Sequence, residues 1–412
     1  MTGYNPGDIL VDKLTVSSGR GSLDLAKAFV SASVYESIFT PGIVADINVL
    51  DQDDQLGQLK ISGDETIEFS FSAPGGDSAT YKLALHKLDD VKSSTGAQKS
   101  KTYILKCVSE EALHSKTNHV QKSYNTQIHE MVKDMHKTYM KSEKELIIDD
   151  ETKGKQKIII PSNNPYKAVD TVRRRSVSSE NKSSSYVFFE TRDGGDQKFK
   201  FTTIEKMFEG SSVKTFQQSD AVGNDINSQV DNNIIAYEVP KQLSSTDRIE
   251  VGGKRRISQF NFRTHKYETK DTTPDTTSFK TGGTGSYDSG DFKNKYTESA
   301  KIPPQSIIPV DTSARPKTGL PETAADQQAY IATLMQNAMK IRVPGDAKLK
   351  AGDLITANIP VKSSTTENKE NDKQLSGDFL ITRMHHKIDG AEARPRYTCV
   401  MEIVKGNPQE GV

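Results

Sequence analysis

The sequence predicts a mainly β protein that carries an α+β insertion. Three observations lead to this fold class. Apolar and polar residues alternate over the first hundred residues, helical spacing replaces the alternation in the middle of the chain, and the alternation returns near the end. Period two is typical of half-buried strands, whereas steps of three and four residues are typical of helices. We therefore expect strand-rich regions on both sides of a mixed segment.

Residues 1–110 are predicted to form an antiparallel β domain, either a sandwich or a barrel. One of its alternating runs places Ile43, Ala45, Ile47 and Val49 on a single face. Each run ends at a cluster of Gly, Pro, Asp and Ser, the residues that short turns between antiparallel strands require.

Residues 111–250 are predicted to form a mixed α/β domain. A first helix has apolar residues at helical steps: Ile128, Met131, Val132, Met135 and Tyr139. A second helix begins at Asn164-Pro165, because an asparagine accepts from the free amides of a first turn and a proline fits at its first position. Strands follow at residues 186–190 and 198–201.

The rest of the chain is predicted to form a second β-barrel from residues 251–268 and 338–406. The isolated strand in 251–268 precedes its expected partners by about 70 residues, so the barrel is interrupted by residues 269–337. This interruption contains a Thr-, Ser- and Gly-rich segment and a helix over residues 321–342, and residues 407–412 form a tail. The polar segment lacks the apolar residues that would repay its ordering entropy.

Composition excludes several classes of protein. The 55 Lys and Arg residues balance the 55 Asp and Glu residues, whereas a surface devoted to nucleic acid or anionic lipid needs a basic excess. No run approaches the roughly 20 apolar residues of a membrane helix, and the acidic amino terminus shows no secretory signal. Cys107 and Cys399 lie in apolar runs, which predicts buried free thiols.

The histidines predict no metal site. His129 and His136 lie seven residues apart on the first helix, where a solvated face is expected, and His114 or His119 would be needed as a further ligand. His385 and His386 are neighbours in a strand, so their rings point to opposite faces. We expect one of these two rings to be buried and hydrogen-bonded and the other to be exposed.

No catalytic or cofactor-binding residue is predicted either. No serine or cysteine lies in a nucleophile motif, and the carboxylates lack the apolar flanks of a general acid. The Gly282–Gly285 cluster lacks the Lys-Ser or Lys-Thr of a phosphate-binding loop. Arg173, Arg174 and Arg175 have no interleaved aromatic residues, which favours a helix surface or a protein interface over nucleic-acid binding.

Four parts of the sequence carry a resemblance to a known family. They are an apolar strand with a polar helix over 102–119; the mid-chain runs NPY (164–166), YVFFETRDG (186–194) and FKF (199–201); RISQFNF (256–262); and, near the end, LKAGDLI (349–355), GDFLITRMHH (377–386) and RYTCVMEI (396–403). In this order the sequence resembles the baseplate hub protein of contractile-tailed phages of the T-even type. That family is related to the amino-terminal part of type VI secretion spike proteins. The chain departs from it in the long segment 269–319 and in having no tryptophan.

The resemblance implies a homotrimeric ring in which each chain supplies two similar β-barrels. Three chains would then imitate a sixfold surface, which meets the tail tube protein on one side and the central spike protein on the other. Neighbouring baseplate proteins would be further partners, and DNA would pass through the lumen without specific binding. The implied location is the phage tail baseplate of the virion, assembled in the host cytoplasm, and neither a cofactor nor an enzymatic activity is implied.

Two other functions remain open from the sequence: a cell-wall hydrolase carried on a phage tail, and a receptor-binding tail module. For the hub, partner contacts are expected on two strands taken to be edge strands. Their expected contact residues are Ile43, Ala45, Ile47, Val49, Leu354, Ile355 and Ile359. Unpaired edges are natural sites of strand pairing between chains.

Overall fold

The protein is mainly β, as the sequence predicts. The computed structural model describes residues 7–52, 57, 61–73, 77–93, 100–180, 183–193, 195–218, 231–240, 254–261, 265–272, 301–302, 307–310, 327, 330–331, 334–335, 338–361, 371–372, 375–390 and 395–405. Most of its strands belong to one sheet of thirteen strands that draws on both ends of the chain. The Gly282–Gly285 cluster and most of the segment 269–319 lie outside the described residues.

The first strand set comprises seven antiparallel strands. They are β1 (Leu10–Ser18), β2 (Gly21–Asp24), β3 (Phe29–Ser37), β4 (Val44–Asp51), β5 (Thr66–Ser72), β6 (Ser78–Ser93) and β7 (Lys101–Val108). Their spatial order is β3-β4-β7-β6-β5-β1-β2. The alternation seen in the sequence is the cause, because it places one apolar face inward on each strand.

The mixed region contains four helices and five strands. The helices are α1 (Glu110–Thr117), α2 (Ile128–Asp134), α3 (Pro165–Arg173) and α4 (Ile204–Phe208), and a π-helical turn (Met135–Tyr139) continues α2. The strands are β8 (Val120–Thr126), β9 (Leu146–Ile148), β10 (Gln156–Asn163), β11 (Tyr186–Asp193) and β12 (Asp196–Thr203). Helix α3 begins as predicted, with the Asn164 side chain accepting from the Lys167 amide and Pro165 in the first turn.

The second strand set follows the mixed region. It consists of β13 (Lys214–Gln217) and β14 (Ala236–Glu238) and, after the small separate sheet described below, β19 (Ala338–Pro344), β20 (Leu354–Asn358), β21 (Gly377–Asp389) and β22 (Arg396–Lys405). These strands pair in the order β14-β19-β22-β21-β20-β13. Residue Gln217 also bridges to Asn233, just before β14, so that the last strand of the order returns to the first.

The hairpin of β21 and β22 belongs to both strand sets. The first part of β21 pairs with β20, from Gly377 to Leu380, and its remainder pairs with β3, from Arg383 to Asp389. Near the tip of the hairpin, Asp8 bridges to Arg396, which brings the start of the first strand set against β22. Both sets therefore hydrogen-bond to one shared hairpin.

The interior follows the same division. One apolar cluster runs through both strand sets and includes residues as distant in sequence as Leu14 and Ile403. A second cluster lies inside the mixed region, between its helices and β8 to β12. A third lies where the mixed region meets the second strand set, around Phe189 and Leu354.

Strand pairing differs from the predicted grouping of 251–268 with 338–406. Strands β15 (Lys254–Asn261), β16 (Lys266–Thr272), β17 (Lys301–Ile302) and β18 (Ile307–Val310) form a separate four-stranded sheet. The strands that join the end of the chain are β13 and β14, whose residues fall within the predicted mixed domain 111–250. Sequence alternation shows that a strand exists but not which strand it pairs with. The predicted helix over 321–342 is replaced by β19 from Ala338 onwards.

Candidate functional site: the junction of the strand sets

A buried carboxylate, Glu36, lies where the two strand sets and the mixed region meet. Its oxygens accept hydrogen bonds from the Tyr81 hydroxyl at 2.8 Å, from Arg192 Nε at 3.2 Å and from the Ala351 amide at 3.2 Å. Glu36 points inward because it lies on the same face of β3 as the buried apolar residues Ala32 and Val34. We call Glu36, Tyr81, Arg192, His386 and Tyr397 the Glu36 cluster.

Arg192 connects the mixed region to this cluster from β11. Besides pairing with Glu36, its guanidinium donates to the carbonyls of Ala347 at 2.9 Å and Leu349 at 3.0 Å. The guanidinium also lies 4.8 Å from the centre of the Tyr81 ring. A planar guanidinium can serve several acceptors at once, which suits it to a buried position.

The charges of this pair set the pKa of Glu36. Burial alone would raise it, but Arg192 and the hydrogen bonds from His386 and Tyr81 outweigh burial and lower the pKa of Glu36 from 4.5 to about 2. Burial likewise opposes the charge of Arg192, yet the neighbouring groups Tyr81 and Glu36 raise its pKa. Both groups therefore stay ionised across the ordinary pH range.

His386 ties β21 and β22 to the same cluster. Its Nδ1 lies 2.7 Å from the Tyr397 hydroxyl, which donates to the carbonyl of Asp346 at 3.0 Å, and its Nε2 lies 3.7 Å from Glu36. Burial lowers the pKa of His386, but Cys399 and Glu36 reverse this and raise it. The ring of His385 points to the other face and stacks on Tyr35 at 4.4 Å, half-buried rather than fully exposed.

A second ionic group lies two residues earlier on β11, and we call Glu190, Lys144, Glu111, Ser109 and Gln197 the Glu190 cluster. Glu190 accepts from Lys144 at 2.7 Å, from Gln197 at 2.8 Å and from the Ser109 hydroxyl. Lys144 is shared, because it also donates to Glu111 at 2.8 Å. Burial and the second carboxylate raise the pKa of Glu190, against the effect of Lys144.

Both clusters are built for positioning. The Glu36 and Glu190 side chains are fully buried and each makes at least three hydrogen bonds to other parts of the chain. Such buried charges are stable only while every partner stays in place. The arrangement can therefore fix the mixed region against both strand sets.

The seven predicted contact residues lie in the core instead of on a surface. Ile43, Ala45, Ile47, Val49, Leu354, Ile355 and Ile359 are all at most 5% exposed. The prediction that their strands are edges is wrong, because β4 pairs with both β3 and β7, and β20 pairs with both β13 and β21. A single strand sequence does not reveal how many neighbours it has, so alternation could not separate edge from centre.

Two histidines also differ from expectation. His129 and His136 are buried, not solvated: His129 Nδ1 lies 3.0 Å from the Thr152 hydroxyl, and the His136 ring packs edge-on against Phe199. Burial lowers the pKa of His136 to about 4 and also lowers that of His129. Helix α3 packs against this helix, and Phe199 of β12 packs against its π-helical continuation, which are contacts between distant segments that helical spacing does not show.

Among the remaining candidates, the prediction for the cysteines is confirmed. Cys107 and Cys399 are buried free thiols. Arg173 pairs with Asp170 and donates to the Tyr186 carbonyl, and Arg174 pairs with the same aspartate on the helix surface. Within the described part of the chain, no three His, Cys, Asp or Glu residues are arranged to bind a metal ion, and no helix has the length and apolarity of a membrane span.

Two surface depressions were not predicted. An apolar groove of about 520 Å³ lies on the outer face of the large sheet, where β3 meets β21, and is lined by Tyr35, Val44, His385 and Val400. A larger polar depression of about 1010 Å³ separates β5 and β6 from the mixed region, with Glu111 and Lys144 in its lining. The groove combines residues more than 350 positions apart, so no local motif could indicate it.

Comparison with known proteins shows which fold this is. No family model matches the chain, and no curated protein is significantly similar to its sequence. A tail protein from Neisseria meningitidis MC58 has a TM-score of 0.58 at 10% identity, covering 95% of this chain and 96% of that one. The 43 kDa tail protein of prophage MuSo2 from Shewanella oneidensis has a TM-score of 0.50 at 12% identity, covering 96% of this chain and 98% of the other.

A third similar structure comes from a secretion system. The E. coli c3393 protein, described as a type VI secretion component that resembles the T4 tail proteins gp27 and gp5, has a TM-score of 0.51 at 9% identity. The match covers 93% of this chain and 75% of that protein. The resemblance stated from the sequence is thus confirmed at the level of the fold: this chain has the fold of phage tail proteins and of a type VI secretion component.

Proposed function

We propose that the protein is the structural baseplate hub of a contractile phage tail, a homotrimeric ring between a sixfold tube and a threefold central spike. The observation that carries this proposal is the shared hairpin of β21 and β22. It joins two strand sets in one chain, and the Glu36 cluster fixes them together. A fold shared with phage tail proteins over more than nine-tenths of both chains supports it.

Each strand set serves as one β-barrel in this proposal. The bridge between Gln217 and Asn233 closes the second set, and the bridge between Asp8 and Arg396 brings the first set back to the hairpin. Closure removes the unpaired edges that lead to uncontrolled pairing. Three chains would then present six barrels to the tube, and three identical faces to the spike.

The hub's partners follow from this symmetry. The tail tube protein would contact the six barrels, the central spike protein would contact the threefold face, and neighbouring baseplate proteins would surround the ring. A formal net charge of zero suits a lumen through which DNA passes without specific binding. The ring would assemble in the host cytoplasm and act in the virion.

The hub acts without enzymatic chemistry in this proposal. The junction groups Glu36, Arg192 and Glu190 have shifted pKa values, but they are buried inside the fold and hydrogen-bonded to other parts of the chain. A catalytic acid or base must reach its substrate. A peptidoglycan-clearing assay with the purified chain should show no activity, and turnover there would overturn this part.

Mass and symmetry test the main proposal. Sedimentation of the purified chain at micromolar concentration should give a species of three times the 45.5 kDa chain mass. Electron-microscope images should show a threefold ring with a central hole. A chain that stays monomeric, alone and when mixed with its tube and spike proteins, would contradict the hub.

A further inference from the structure

The apolar groove at Tyr35 is a surface that the fold leaves uncovered. Tyr35 and Val44 are cross-strand neighbours on β3 and β4, and each is 42% exposed. The next strands continue the same row with His385 and Val400, so the apolar strip crosses from the first strand set into the second. An apolar strip open to water gains free energy when another surface covers it.

The groove has a basic border. Lys340 and Arg383 line it, and Arg342 is exposed two residues beyond Lys340 on the same face of β19. Two acidic residues reduce this charge: Glu402 is paired with Arg383 at 3.0 Å, and the exposed Glu238 on β14 lies opposite Lys340. The border therefore has an excess of positive charge and favours an acidic occupant.

A complementary feature lies at the start of β1. Leu10 is 65% exposed, although Ile9 beside it is buried in the core. Asp8 precedes it on the same face of the strand, and the exposed Asp12 follows it, accepting from Ser72, a residue of the strand paired with Leu10. Leu10 is thus an apolar side chain between two carboxylates, whereas the groove is an apolar surface bordered by cations. The two surfaces are therefore complementary in charge.

The two features cannot meet within one chain. Asp8 pairs with Arg396, whereas the groove row crosses the same strand at Val400, and the antiparallel pairing carries Leu10 away from that row. Six residues of extended strand separate them by about 20 Å. Leu10 can therefore reach such a groove only on another molecule.

We propose that the Leu10 surface of one copy seats in the Tyr35 groove of the next copy, forming the contact between subunits of the ring. This inference rests on the proposed trimer. A cyclic trimer needs two different complementary patches on each chain, because a threefold axis cannot pair a patch with itself. An apolar anchor between acids and an apolar groove between cations meet that requirement.

Charge exchange tests the contact. Asp12→Lys and Lys340→Glu should each raise the concentration at half-assembly about tenfold or more in sedimentation experiments, and the chain carrying both changes should regain association. Lys157→Glu on β10, away from both surfaces, is the matched charge control and should assemble normally. Tyr35→Ser should weaken assembly, whereas Ile159→Ser, at a 71% exposed apolar residue on β10, should not.

Cross-linking gives a second readout that does not depend on affinity. A chain carrying Leu10→Cys and Tyr35→Cys should form disulfide-linked trimers under oxidation, because these positions come within bonding distance only between copies. The pair Ile159→Cys and Tyr35→Cys should not. All variants change exposed residues, so their urea midpoints should match the wild type.

The outcomes separate this inference from the function it rests on. A wild-type trimer that is indifferent to Tyr35→Ser, shows no charge rescue and forms no cross-link would overturn the contact and leave the hub proposal intact. A monomeric wild type would overturn both. Weakened single variants, a restored double variant and a specific cross-link would establish the contact.

Discussion

Strand β11 contributes Arg192 to the Glu36 cluster and Glu190 to the Glu190 cluster, yet the two clusters stabilise buried charge differently. In the Glu36 cluster one carboxylate faces one guanidinium, Arg192, and every further partner is a neutral donor or acceptor apart from His386. In the Glu190 cluster two carboxylates, Glu190 and Glu111, compete for the single ammonium of Lys144. The pKa of Glu36 is therefore lowered, whereas that of Glu190 is raised.

The difference shows which of the two clusters keeps its charges when the pH changes. A balanced pair with a full set of hydrogen bonds keeps its charges, because both partners gain from ionisation. Where two carboxylates share one ammonium, one carboxylate can take up a proton, which relieves the repulsion between them. The junction between the strand sets uses the balanced arrangement, and the border of the polar depression uses the unbalanced one.

Removing the guanidinium should have the largest effect. Arg192→Met leaves Glu36 charged and buried and leaves two carbonyls without donors, so unfolding free energy should fall by about 3 to 5 kcal/mol. Urea denaturation at pH 7 measures it. The double variant with Glu36→Gln should recover part of the loss, and a cost below about 1 kcal/mol for Arg192→Met would contradict the role given to this pair.

The second largest effect should be the loss, at acid pH, of the stability that the charge of Glu36 contributes. Because its folded pKa is lowered from 4.5 to about 2, its contribution is complete above pH 4.5 and is lost as pH falls towards 2. That shift corresponds to about 3 kcal/mol. The stability difference between the wild type and Glu36→Gln, measured by urea midpoints, should therefore narrow as pH falls from 6 to 3. A constant difference would mean that Glu36 carries no charge-dependent contribution.

Removing Lys144 from the Glu190 cluster should lower the unfolding free energy by less than the two preceding effects. Lys144→Met leaves Glu190 and Glu111 facing each other, at a cost of about 1 to 3 kcal/mol at pH 7. Their pKa values rise in this variant, so protonation relieves the repulsion and the deficit should shrink as pH falls towards 4. Lys122→Met removes an exposed pair with Asp134 and is the matched control. A deficit that grows in acid would refute the shared-ammonium interpretation.

An exposed ion pair provides the reference against which the buried clusters are compared. Lys13 and Glu68 lie 2.7 Å apart on neighbouring strands, but both side chains are more than a third exposed. Lys13→Ala should change the unfolding free energy by less than about 1 kcal/mol, since water and salt screen such pairs. Thermal melts at low and high salt measure this, and a loss as large as that of Lys144→Met would remove the distinction between surface and buried clusters.

The Glu190 and Arg192 positions show where sequence reasoning stops. The sequence predicts a strand at residues 186–190, and β11 spans Tyr186–Asp193. The sequence does not indicate that its charged residues are buried, because Glu36 and Lys144, which neutralise them, lie 156 and 46 residues away. Charged residues in a strand ordinarily face water, and only a distant partner changes that.

The seven predicted contact residues also show that a local pattern does not reveal which strand face is buried. Five of the seven lie on β4 or β20 as expected, and Ile43 and Ile359 lie just outside these strands, but all seven side chains are buried in the core. The exposed apolar residues that matter for assembly in our proposal, Leu10 and Tyr35, interrupt no pattern. Leu10 directly follows the buried Ile9, and Tyr35 alternates with Val34 and Glu36 like any outward strand residue.

The sequence by itself determined the mainly β class, the position of most strands in the two strand sets, the start of helix α3 and the burial of both cysteines. These depend on alternation, turn residues and capping, which act over a few neighbouring residues. Only the tertiary structure decided that β13 and β14 join the end of the chain, that one hairpin serves both strand sets, and that Glu36 meets Arg192 and His386. Those contacts join segments far apart in the chain, and their energies come from burial and charge pairing that no local pattern contains.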